Sequence, residues 1–320
     1  MKSALVLGCS GQDGSYICRS LLTKKFQVLG LTRKKQDLIS NHLKLGIQGE
    51  LEVKYGDIND FKMISNLIEK YQPDFIYNLA AQSSVGESFS APSRALESTI
   101  NGTINILEVS RKLEYDGRIF FAGSSEIFGE TIKAAKIEHT QKPQSPYGIG
   151  KQASMHLVKL YRKIYNLKCV TGVLFNHESP LRNHNFVTQK IIEGALECTR
   201  NKSHKIKLGN INIARDWGWA EEYIEAMQII SSAINLKDYV ICTGKLTTLK
   251  KFIEIVFKEL NLNWQEHIDI DKKLFRDNEI LQSFGNPNEL KNDLGWTAKK
   301  DTTKIIRQLI KSKTSDFEMY

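Results

Sequence analysis

Short apolar runs alternate with amphipathic stretches along most of the chain. Runs such as Ala-Leu-Val-Leu at 4–7 are continuous rather than alternating, which is typical of strands buried on both faces of a parallel sheet. The stretches between them repeat apolar residues at helical spacing. We predict strands over 4–7, 27–31, 51–58, 74–81, 118–123 and 168–175, and helices over 15–24, 61–71, 103–113 and 187–199. This alternation predicts an α/β fold with a Rossmann-type, doubly wound parallel sheet.

Three glycines follow the first predicted strand and open the first predicted helix. Glycines at such a turn let the backbone approach a pyrophosphate, whose charge is met by the N–H groups and dipole of the helix start. A glycine pattern is weak by itself, but the strand before it and the helix after it strengthen the interpretation. We therefore predict a dinucleotide site with contacts at Gly8, Ser10, Gly11, Gln12, Asp13 and Gly14.

The end of the second predicted strand bears on the choice between NAD and NADP. An NAD site is expected to place an acidic residue there to hold the ribose 2′-hydroxyl. This chain has Arg33, Lys34 and Lys35 instead. We predict NADP, with Arg33 facing the 2′-phosphate; the alternative is a basic surface turn.

Later strand ends are predicted to complete the cofactor site. We expect Asp57 to bond the adenine amine and Ile58 to cover the adenine ring. The fourth strand runs into small residues, which would let the cofactor ribose lie against the backbone at Leu79, Ala80 and Ala81.

Two side chains suited to acid–base chemistry stand at the start of a helical pattern in the middle of the chain. Tyr147 and Lys151 are four residues apart, so both project from one helix face. A free tyrosine has a pKa of about 10 and is a poor base at neutral pH. A neighbouring ammonium stabilises the phenolate. With help from the hydroxyl of Ser124, we predict that this pair removes the proton of a sugar hydroxyl.

Glu126 separates two kinds of chemistry. A plain oxidoreductase needs only the tyrosine, the lysine and a hydroxyl group. A carboxylate beside them adds a second base, which can take a proton from the carbon next to a new ketone. The alternative is a carboxylate that caps the turn after the fifth strand. We favour the catalytic role because Tyr147 is present in the same sequence.

Composition limits the classes of partner. The chain has 320 residues, of which 41% are hydrophobic and 25% charged, as in ordinary globular proteins. Its net charge is +9, but the lysines are scattered, so we expect no nucleic-acid binding. The five cysteines include no C-x-x-C pair, so we expect no metal site and a reducing cytoplasm. No run approaches the length of a membrane span, and we expect no membrane association.

Motif stretches spread over nearly the whole chain carry a family resemblance. They lie at 8–16, 78–83, 124–129, 145–151, 174–180, 185–190, 208–210, 215–218 and 294–296. The most specific are Asn-His-Glu-Ser-Pro at 176–180 and Arg-Asp-Trp-Gly at 215–218. Together these stretches resemble the extended short-chain dehydrogenase/reductases and, within them, the GDP-mannose 4,6-dehydratases.

The resemblance implies an NADP-dependent lyase that converts GDP-mannose to GDP-4-keto-6-deoxymannose. Tyr147 would remove the 4-hydroxyl proton as hydride leaves C4, Glu126 would remove the C5 proton as water leaves from C6, and the hydride would return to C6. The planar guanidinium groups of Arg215 and Arg276 suit a diphosphate. With the resemblance, the predicted substrate contacts are Ser83, Ser125, Asn176, Asn185, Val187, Lys190, Gly209, Arg215, Arg276 and Glu279.

Three features depart from the pattern of that family. Ser124 stands where the family usually has threonine, an exchange that keeps the hydroxyl. Gln189 stands where relatives commonly carry arginine. The stretch 32–46 is shorter than the family's arginine- and serine-rich segment, which reaches the cofactor of a neighbouring subunit. We expect a homodimer or a homotetramer.

Other functions stay open from the sequence. The same cap could admit a GDP-manno-heptose, which has one more carbon at C6. A C4 oxidase, 4-ketoreductase or epimerase would use the same site without needing Glu126. A nucleotide-sugar-binding protein without catalysis is a further alternative, against which Ser124, Glu126, Tyr147 and Lys151 argue together.

We predict two domains. Residues 1–175 would form an NADP-binding Rossmann domain that includes the catalytic tyrosine and lysine. Residues 176–320 would form mainly a nucleotide-sugar-binding cap, with returns of the chain to the first domain at about 211–245.

Overall fold

The computed structural model describes residues 1–35, 40–81, 84–275 and 278–314. The strands of these ranges are β1 (Ser3–Leu7), β2 (Gln27–Thr32), β3 (Glu52–Tyr55), β4 (Phe75–Asn78), β5 (Arg118–Ser124), β6 (Cys169–Leu174), β7 (Asn176–Glu178), β8 (Ile206–Leu208), β9 (Ala214–Arg215), β10 (Trp217–Trp219), β11 (Tyr239–Ile241), β12 (Thr247–Thr248), β13 (Ile268–Ile270) and β14 (Gln282–Ser283).

The α-helices of the same ranges are α1 (Gln12–Thr23), α2 (Ser40–Lys44), α3 (Phe61–Tyr71), α4 (Val85–Ser90), α5 (Pro92–Leu96), α6 (Gly102–Lys112), α7 (Pro146–Tyr165), α8 (Val187–Arg200), α9 (Ala220–Ser232), α10 (Leu249–Glu259), α11 (Asn288–Leu294) and α12 (Thr302–Thr314). A π-helical turn at Glu97–Asn101 precedes α6, and a 3-10 turn at Ser125–Ile127 follows β5.

Seven parallel strands of the described chain form the central sheet, in the order β11-β6-β5-β4-β1-β2-β3. The chain builds the sheet outward from β1 in one direction and from β4 in the other, so the strand order reverses between these two neighbours. Ligands of open α/β sheets bind at such a point, outside the carboxyl ends of the strands. The predicted Rossmann-type sheet is confirmed.

Alternate residues of β1 face two different hydrophobic cores. Ala4 and Val6 join a cluster that includes residues of α1 and α9. Leu5 and Leu7 join a cluster that includes residues of α3, α6 and α7. All four side chains are buried. Burial on both faces explains why the run is continuously apolar, and each buried leucine contributes roughly 1.5–3 kcal/mol.

Several predicted boundaries differ from the structure. The fourth strand ends at Asn78 rather than at residue 81, because the N–H of Ala80 turns back to the side-chain oxygen of Asn78 (3.3 Å). The third strand ends at Tyr55, earlier than predicted, because the chain turns away after Gly56 donates to the last carbonyl of β2 (2.8 Å). The first helix begins at Gln12, earlier than predicted, because the glycine turn itself closes into helix. The N–H of Ser15 already donates to the carbonyl of Gly11 (2.9 Å).

Elements after position 176 contribute to more than one core. Residues of α8, α10 and α12 surround a separate hydrophobic cluster that contains Phe252, Phe257 and Ile305. Strand β11 nevertheless lies at the edge of the central sheet beside β6, and α9 packs against α1. The predicted domain boundaries stay a prediction.

A buried ion pair anchors β11 to the long helix α7. Both guanidinium nitrogens of Arg162 contact the two carboxylate oxygens of Asp238 at 2.8 Å. The carboxylate also accepts a hydrogen bond from the N–H of Thr171 on β6 (2.7 Å). The pair therefore ties the edge strand and α7 to one point of the sheet.

Candidate active site

Strand β5 and helix α7 bring the four predicted catalytic residues together. Ser124 is the last residue of β5, and Glu126 lies in the 3-10 turn that follows it. Tyr147 and Lys151 lie in the first two turns of α7, and both are buried. The four residues thus meet at the carboxyl edge of the sheet, as predicted from their order in the sequence.

Local sequence fixes the start of α7 against the turn that carries Glu126. Ser145 caps the helix by accepting a hydrogen bond from the N–H of Gly148 (3.0 Å), and Pro146 occupies the first helical position. A Cβ on Gly148 would stand 2.9 Å from the carbonyl oxygen of Glu126. Only glycine allows this close approach of the catalytic helix to the catalytic turn.

Ser124 lies between the two predicted bases. Its hydroxyl oxygen accepts a hydrogen bond from the N–H of Glu126 (3.3 Å). Because the amide occupies the oxygen as an acceptor, the hydroxyl hydrogen is available to the phenol oxygen of Tyr147, and a hydrogen bond from Ser124 lowers the pKa of that phenol. Ser124 therefore orients Tyr147 and the Glu126 turn together.

The pKa of Tyr147 differs from the sequence-based expectation. Burial, with a smaller contribution from the negative charge of Glu126, raises it to about 12, although Ser124 and Arg182 act in the opposite direction. The stabilisation of a Tyr147 phenolate by Lys151 stays a prediction. The Lys151 ammonium donates to the carbonyl of Ala122 on β5 (2.7 Å) and lies 5.7 Å from the centre of the Tyr147 ring.

Burial also affects Lys151. Removal of the ammonium from water lowers its pKa to about 8, and the negative charge of Asp13 opposes this shift. Protons of a coupled pair leave in steps that belong to the pair rather than to one residue. The Tyr147–Lys151 pair can therefore lose its first proton close to neutral pH, which makes it a usable base.

A buried contact joins the glycine turn to strand β7. Nε2 of His177 lies 2.9 Å from both carboxylate oxygens of Asp13, and Nδ1 lies 2.8 Å from the carbonyl oxygen of Phe175. Burial raises the pKa of Asp13, but the charge and hydrogen bond of His177 outweigh it, and the pKa lies below its ordinary value. Both ring nitrogens of His177 therefore face oxygen atoms, one at Asp13 in the glycine turn and one at Phe175.

Gln12 extends the same connection. Its Nε2 donates to a carboxylate oxygen of Asp13 (3.0 Å), and its Oε1 accepts from the hydroxyl of Ser179 (2.8 Å). The side chains of the predicted cofactor residues Gln12 and Asp13 thus hold the second half of the chain. Their backbone N–H groups, at the start of α1, have no acceptor within the helix and remain available to a phosphate.

The glycine turn fits a dinucleotide. Gly8 has a φ of +84°, and a Cβ there would stand 2.9 Å from the backbone of Ala80. A Cβ on Gly14 would stand 2.1 Å from the carbonyl oxygen of Gly8. The chain therefore forms a close-packed backbone cradle at the start of α1, where side chains would exclude a pyrophosphate. The nearby hydroxyl of Ser10 lies 2.7 Å from that of Thr32 at the end of β2.

Predicted adenosine contacts lie at the ends of β2 and β3. Nη1 of Arg33 stands 3.9 Å from a carboxylate oxygen of Asp57, and more than half of the Arg33 side chain is exposed. Ile58 is buried, and its carbonyl accepts from the side-chain amide of Asn105 (3.0 Å). Arg33 thus lies beside the other predicted adenosine residues, in a position to meet a phosphate.

The end of β4 forms one wall of a cleft that reaches the catalytic lysine. Ala80 and Ala81 line this cleft together with Asn78, Thr99 and Lys151. Leu79 is half-buried next to them, and its N–H donates to the carbonyl of Leu7. The alanines present no long side chain here that would keep a ribose away from the backbone, so the residues present fit the predicted NADP.

Predicted substrate residues of α8 and β8 lie close to one another. Val187 is the first residue of α8, and Asn185 precedes it on an exposed turn. Lys190 is exposed, and its ammonium donates to the carbonyl of Lys207 on β8 (2.8 Å). Gly209 follows β8, where a Cβ would stand 2.9 Å from the carbonyl oxygen of Leu274.

The remaining predicted substrate residues lie on several elements. Arg215 is the last residue of β9, and its Nη1 donates to the carbonyl of Ala214 (2.9 Å). Asn176 opens β7, Ser125 is buried in the 3-10 turn, and Glu279 is half-buried. Ser83 and Arg276 lie outside the described residues.

Sequence reasoning missed Arg182. Its positive charge lowers the pKa of both Tyr147 and Asp13. The guanidinium stacks 3.6 Å from the ring centre of Phe186, and its Nε stands 3.9 Å from a carboxylate oxygen of Glu178. One indication of its importance is present in the sequence, since Arg182 stands two residues after the Asn-His-Glu-Ser-Pro motif. His177 lies within that motif, and its contact with Asp13 holds the motif against the glycine turn.

Two kinds of feature do not occur within the described part of the chain. No group of three His, Cys, Asp or Glu side chains there is arranged to hold a metal ion. None of the helices that the structure describes has the length and apolar character needed to cross a membrane.

Known proteins resemble this chain over nearly its full length. A family profile described as GDP-mannose 4,6 dehydratase matches residues 5–309. GDP-mannose 4,6 dehydratase 1 of Arabidopsis thaliana is 36% identical over 320 aligned positions, which cover 97% of this chain and 89% of that protein. The human GDP-mannose 4,6 dehydratase is 31% identical and covers 96% and 90% of the two chains.

Solved structures share the fold. A dTDP-glucose 4,6-dehydratase from Bacillus anthracis, in complex with NAD, superposes with a TM-score of 0.84 at 18% identity and covers 98% of this chain and 96% of that one. At this level of identity the likeness shows the fold alone.

Proposed function

Because this chain belongs to the GDP-mannose 4,6 dehydratase family, we propose that it removes water from GDP-mannose and releases GDP-4-keto-6-deoxymannose. The observation that carries the proposal is the place of Glu126 in the turn that is capped by Ser124 and packed against the start of the helix that carries Tyr147, where its charge raises the pKa of the phenol. Oxidation and reduction at C4 need no such second base, whereas elimination across C5 and C6 does.

The cofactor is NADP. The backbone N–H groups of the glycine turn at Gly8–Gly14 hold its pyrophosphate, and Arg33 meets its 2′-phosphate. Asp57 and Ile58 receive the adenine, and the small wall at Ala80 receives the ribose. The chemistry that NADP supplies when bound is acceptance of a hydride from C4 of the hexose and its return to C6.

Tyr147 removes the proton of the 4-hydroxyl group. Its oxygen receives a hydrogen bond from Ser124, which fixes the direction of the transfer. The Tyr147–Lys151 pair loses its first proton at a pH near 8, the pKa that burial gives Lys151. The pair thus acts as one base at O4.

Glu126 removes the proton from C5. The ketone at C4 makes this proton acidic. Glu126 passes the proton to the hydroxyl group at C6, which departs as water, and C5 takes up a proton from solvent when the hydride returns to C6. Glu126 lies in a turn that is capped by Ser124 and packed against the start of α7, so its backbone lies close to the helix that carries Tyr147. Two bases at neighbouring carbons of one sugar account for the order of oxidation and elimination.

The guanosine diphosphate binds along the second half of the chain. The guanidinium groups of Arg215 and Arg276 pair with the phosphates, and Glu279 accepts from the ribose or the base. Asn176 contacts the sugar phosphate, and Lys190 lies toward the base. The remaining contacts come from Ser83, Ser125, Asn185, Val187 and Gly209.

Product mass tests this function directly. The purified protein is incubated with GDP-mannose, and separately with GDP-manno-heptose, without added reductant. We expect loss of one water from GDP-mannose with no net change in NADPH absorbance. Loss of two hydrogens with NADPH formation would instead identify a C4 oxidase. Water loss from the heptose only would move the assignment to that substrate, and no reaction with either sugar would refute the proposal.

The assembly is a homodimer that pairs through α7. Ile149, Leu160 and Ile164 are exposed on this helix although they are apolar. An isologous contact between two copies of such a face would bury it.

The compartment is the cytoplasm. All five cysteines of the chain are free, buried thiols, which fits a reducing compartment.

A further inference from the structure

The segment 282–286 lies between the predicted diphosphate site and the catalytic turn. On one side, β14 pairs with β9, and Ser283 is in register with Arg215. The N–H of Asp216 donates to the carbonyl of Ser283 (3.0 Å). If a bound diphosphate moves Arg215, the segment that is paired with it moves as well.

On its other side, the segment holds Thr131, which follows the catalytic Glu126 in the chain. The N–H of Thr131 donates to the carbonyl of Gln282 (3.0 Å). Its hydroxyl oxygen accepts from the N–H of Phe284 (2.9 Å). Thr131 is buried, so both bonds are shielded from water. Thr131 thus makes two hydrogen bonds of opposite direction to the segment, one through its backbone N–H and one through its side chain.

Ala135 adds a second attachment. Its N–H donates to the carbonyl of Phe284 (3.0 Å), and its carbonyl accepts from the N–H of Asn286 (2.8 Å). Ala135 also packs in one hydrophobic cluster with Ile127 and Phe128 of the catalytic turn. The loop is therefore connected to the segment by backbone bonds and to the turn by packing.

The backbone between Thr131 and Glu126 is short and closely packed. Gly129 lies between them with a φ of +65°, and a Cβ there would stand 2.2 Å from the carbonyl oxygen of Lys142. Tyr147, in contrast, is fixed by the cap and packing of α7. A shift at Thr131 therefore moves Glu126 more than it moves Tyr147.

We propose that Thr131 is a positioning residue, which sets Glu126 for removal of the C5 proton in response to diphosphate bound near Arg215. The segment 282–286 transmits the effect. This inference rests on the proposed dehydration, because it assigns Glu126 to one step of that reaction.

Hydrogen exchange of the NADP-loaded wild-type protein tests the connection without a mutation. GDP is the probe, because it carries the diphosphate but no hexose to contact Glu126. We expect GDP to slow amide exchange in 282–286 and also in 126–135. Protection of 282–286 without protection of 126–135 would overturn the inference. Absence of any protection by GDP would refute the nucleotide site and the proposed function with it.

A side-chain exchange tests the role in catalysis. Thr131→Val removes the acceptor of the Phe284 N–H, whereas Thr131→Ser keeps it. We expect Thr131→Val to lower kcat about tenfold, as loss of one buried hydrogen bond implies, with KM unchanged. The deuterium isotope effect with GDP-mannose labelled at C5 should increase, since proton removal becomes slower. Thr131→Ser should restore both values.

The control is Thr140→Val, which changes an exposed threonine of the same loop. Equal slowing of C4 oxidation and of water loss in Thr131→Val, or an unchanged isotope effect, would assign Thr131 a structural role and overturn the inference. In either case the wild-type protein still dehydrates GDP-mannose. A wild-type protein that does not would instead refute the proposed function.

Discussion

Replacing Glu126 by glutamine separates the two chemical steps. Glutamine has nearly the same shape, so the hydrogen bond from the backbone N–H of residue 126 to Ser124 (3.3 Å) is kept. The close approach of Gly148 to the carbonyl of Glu126 also involves only backbone. The exchange therefore removes the base at C5 and leaves the site assembled.

The exchange is expected to slow the elimination step but not the oxidation step. A positioned general base accelerates proton transfer by about a hundredfold to ten-thousandfold. Its loss should slow elimination by that factor, which equals roughly 2.7 to 5.4 kcal/mol of activation free energy. The charge of Glu126 raises the pKa of Tyr147. Its removal lowers that pKa, so oxidation at C4 should not be slowed.

The assay follows both steps in one mixture. NADP-loaded Glu126→Gln protein is mixed with GDP-mannose, and NADPH absorbance and product mass are recorded over time. We expect absorbance to rise and persist while loss of water is slowed. Glu130→Gln is the matched control, because Glu130 is an exposed carboxylate shortly after the same turn. Water loss at the wild-type rate, or loss of the absorbance rise, would refute the assignment of Glu126 to elimination.

Four further outcomes are expected. The wild-type kcat/KM should rise with pH through about 8, because burial lowers the pKa of Lys151 and the deprotonated pair is the base; Lys151→Arg should abolish this limb, and a limb that persists would contradict the assignment. Arg33→Ala should weaken NADP binding at least about tenfold in titration and leave NAD binding unchanged, since only NADP has the 2′-phosphate; equal losses would contradict it. Asp238→Asn leaves the half-buried guanidinium of Arg162 without its charge partner and should lower the free energy of unfolding by up to about 3 kcal/mol in urea denaturation; a change below about 1 kcal/mol would show that the pair matters little. Ile164→Asp should convert a dimer into a monomer in sedimentation equilibrium, and a monomeric wild-type protein would refute pairing through α7.

Local patterns predicted most of the fold. The run at 4–7 and the helix over 61–71 correspond to β1 (Ser3–Leu7) and α3 (Phe61–Tyr71). Both signals are strong because burial on two faces or on one stripe determines residue type position by position. The ends of β3 and the start of α1 were wrong, since hydrogen bonds from Gly56 and Ser15 set them and leave no trace in hydrophobic periodicity.

The candidate site was predictable where spacing is local. Tyr147 and Lys151 lie on one helix because their separation matches its period, and Ser124 and Glu126 follow a strand end. The electrostatics were not predictable, since burial raises the pKa of Tyr147 and only the packed structure gives that burial. The assignments of substrate and cofactor residues stay predictions.

The contact between Asp13 and His177 sets an order of events during synthesis of the chain. The two residues are 164 positions apart. At about 5–20 residues per second, roughly 10 to 30 seconds separate their synthesis on the ribosome. Until His177 emerges, the Asp13 carboxylate in the glycine turn lacks this partner. The contact between the glycine turn and β7 is therefore made only after the first six strands of the central sheet have been synthesised.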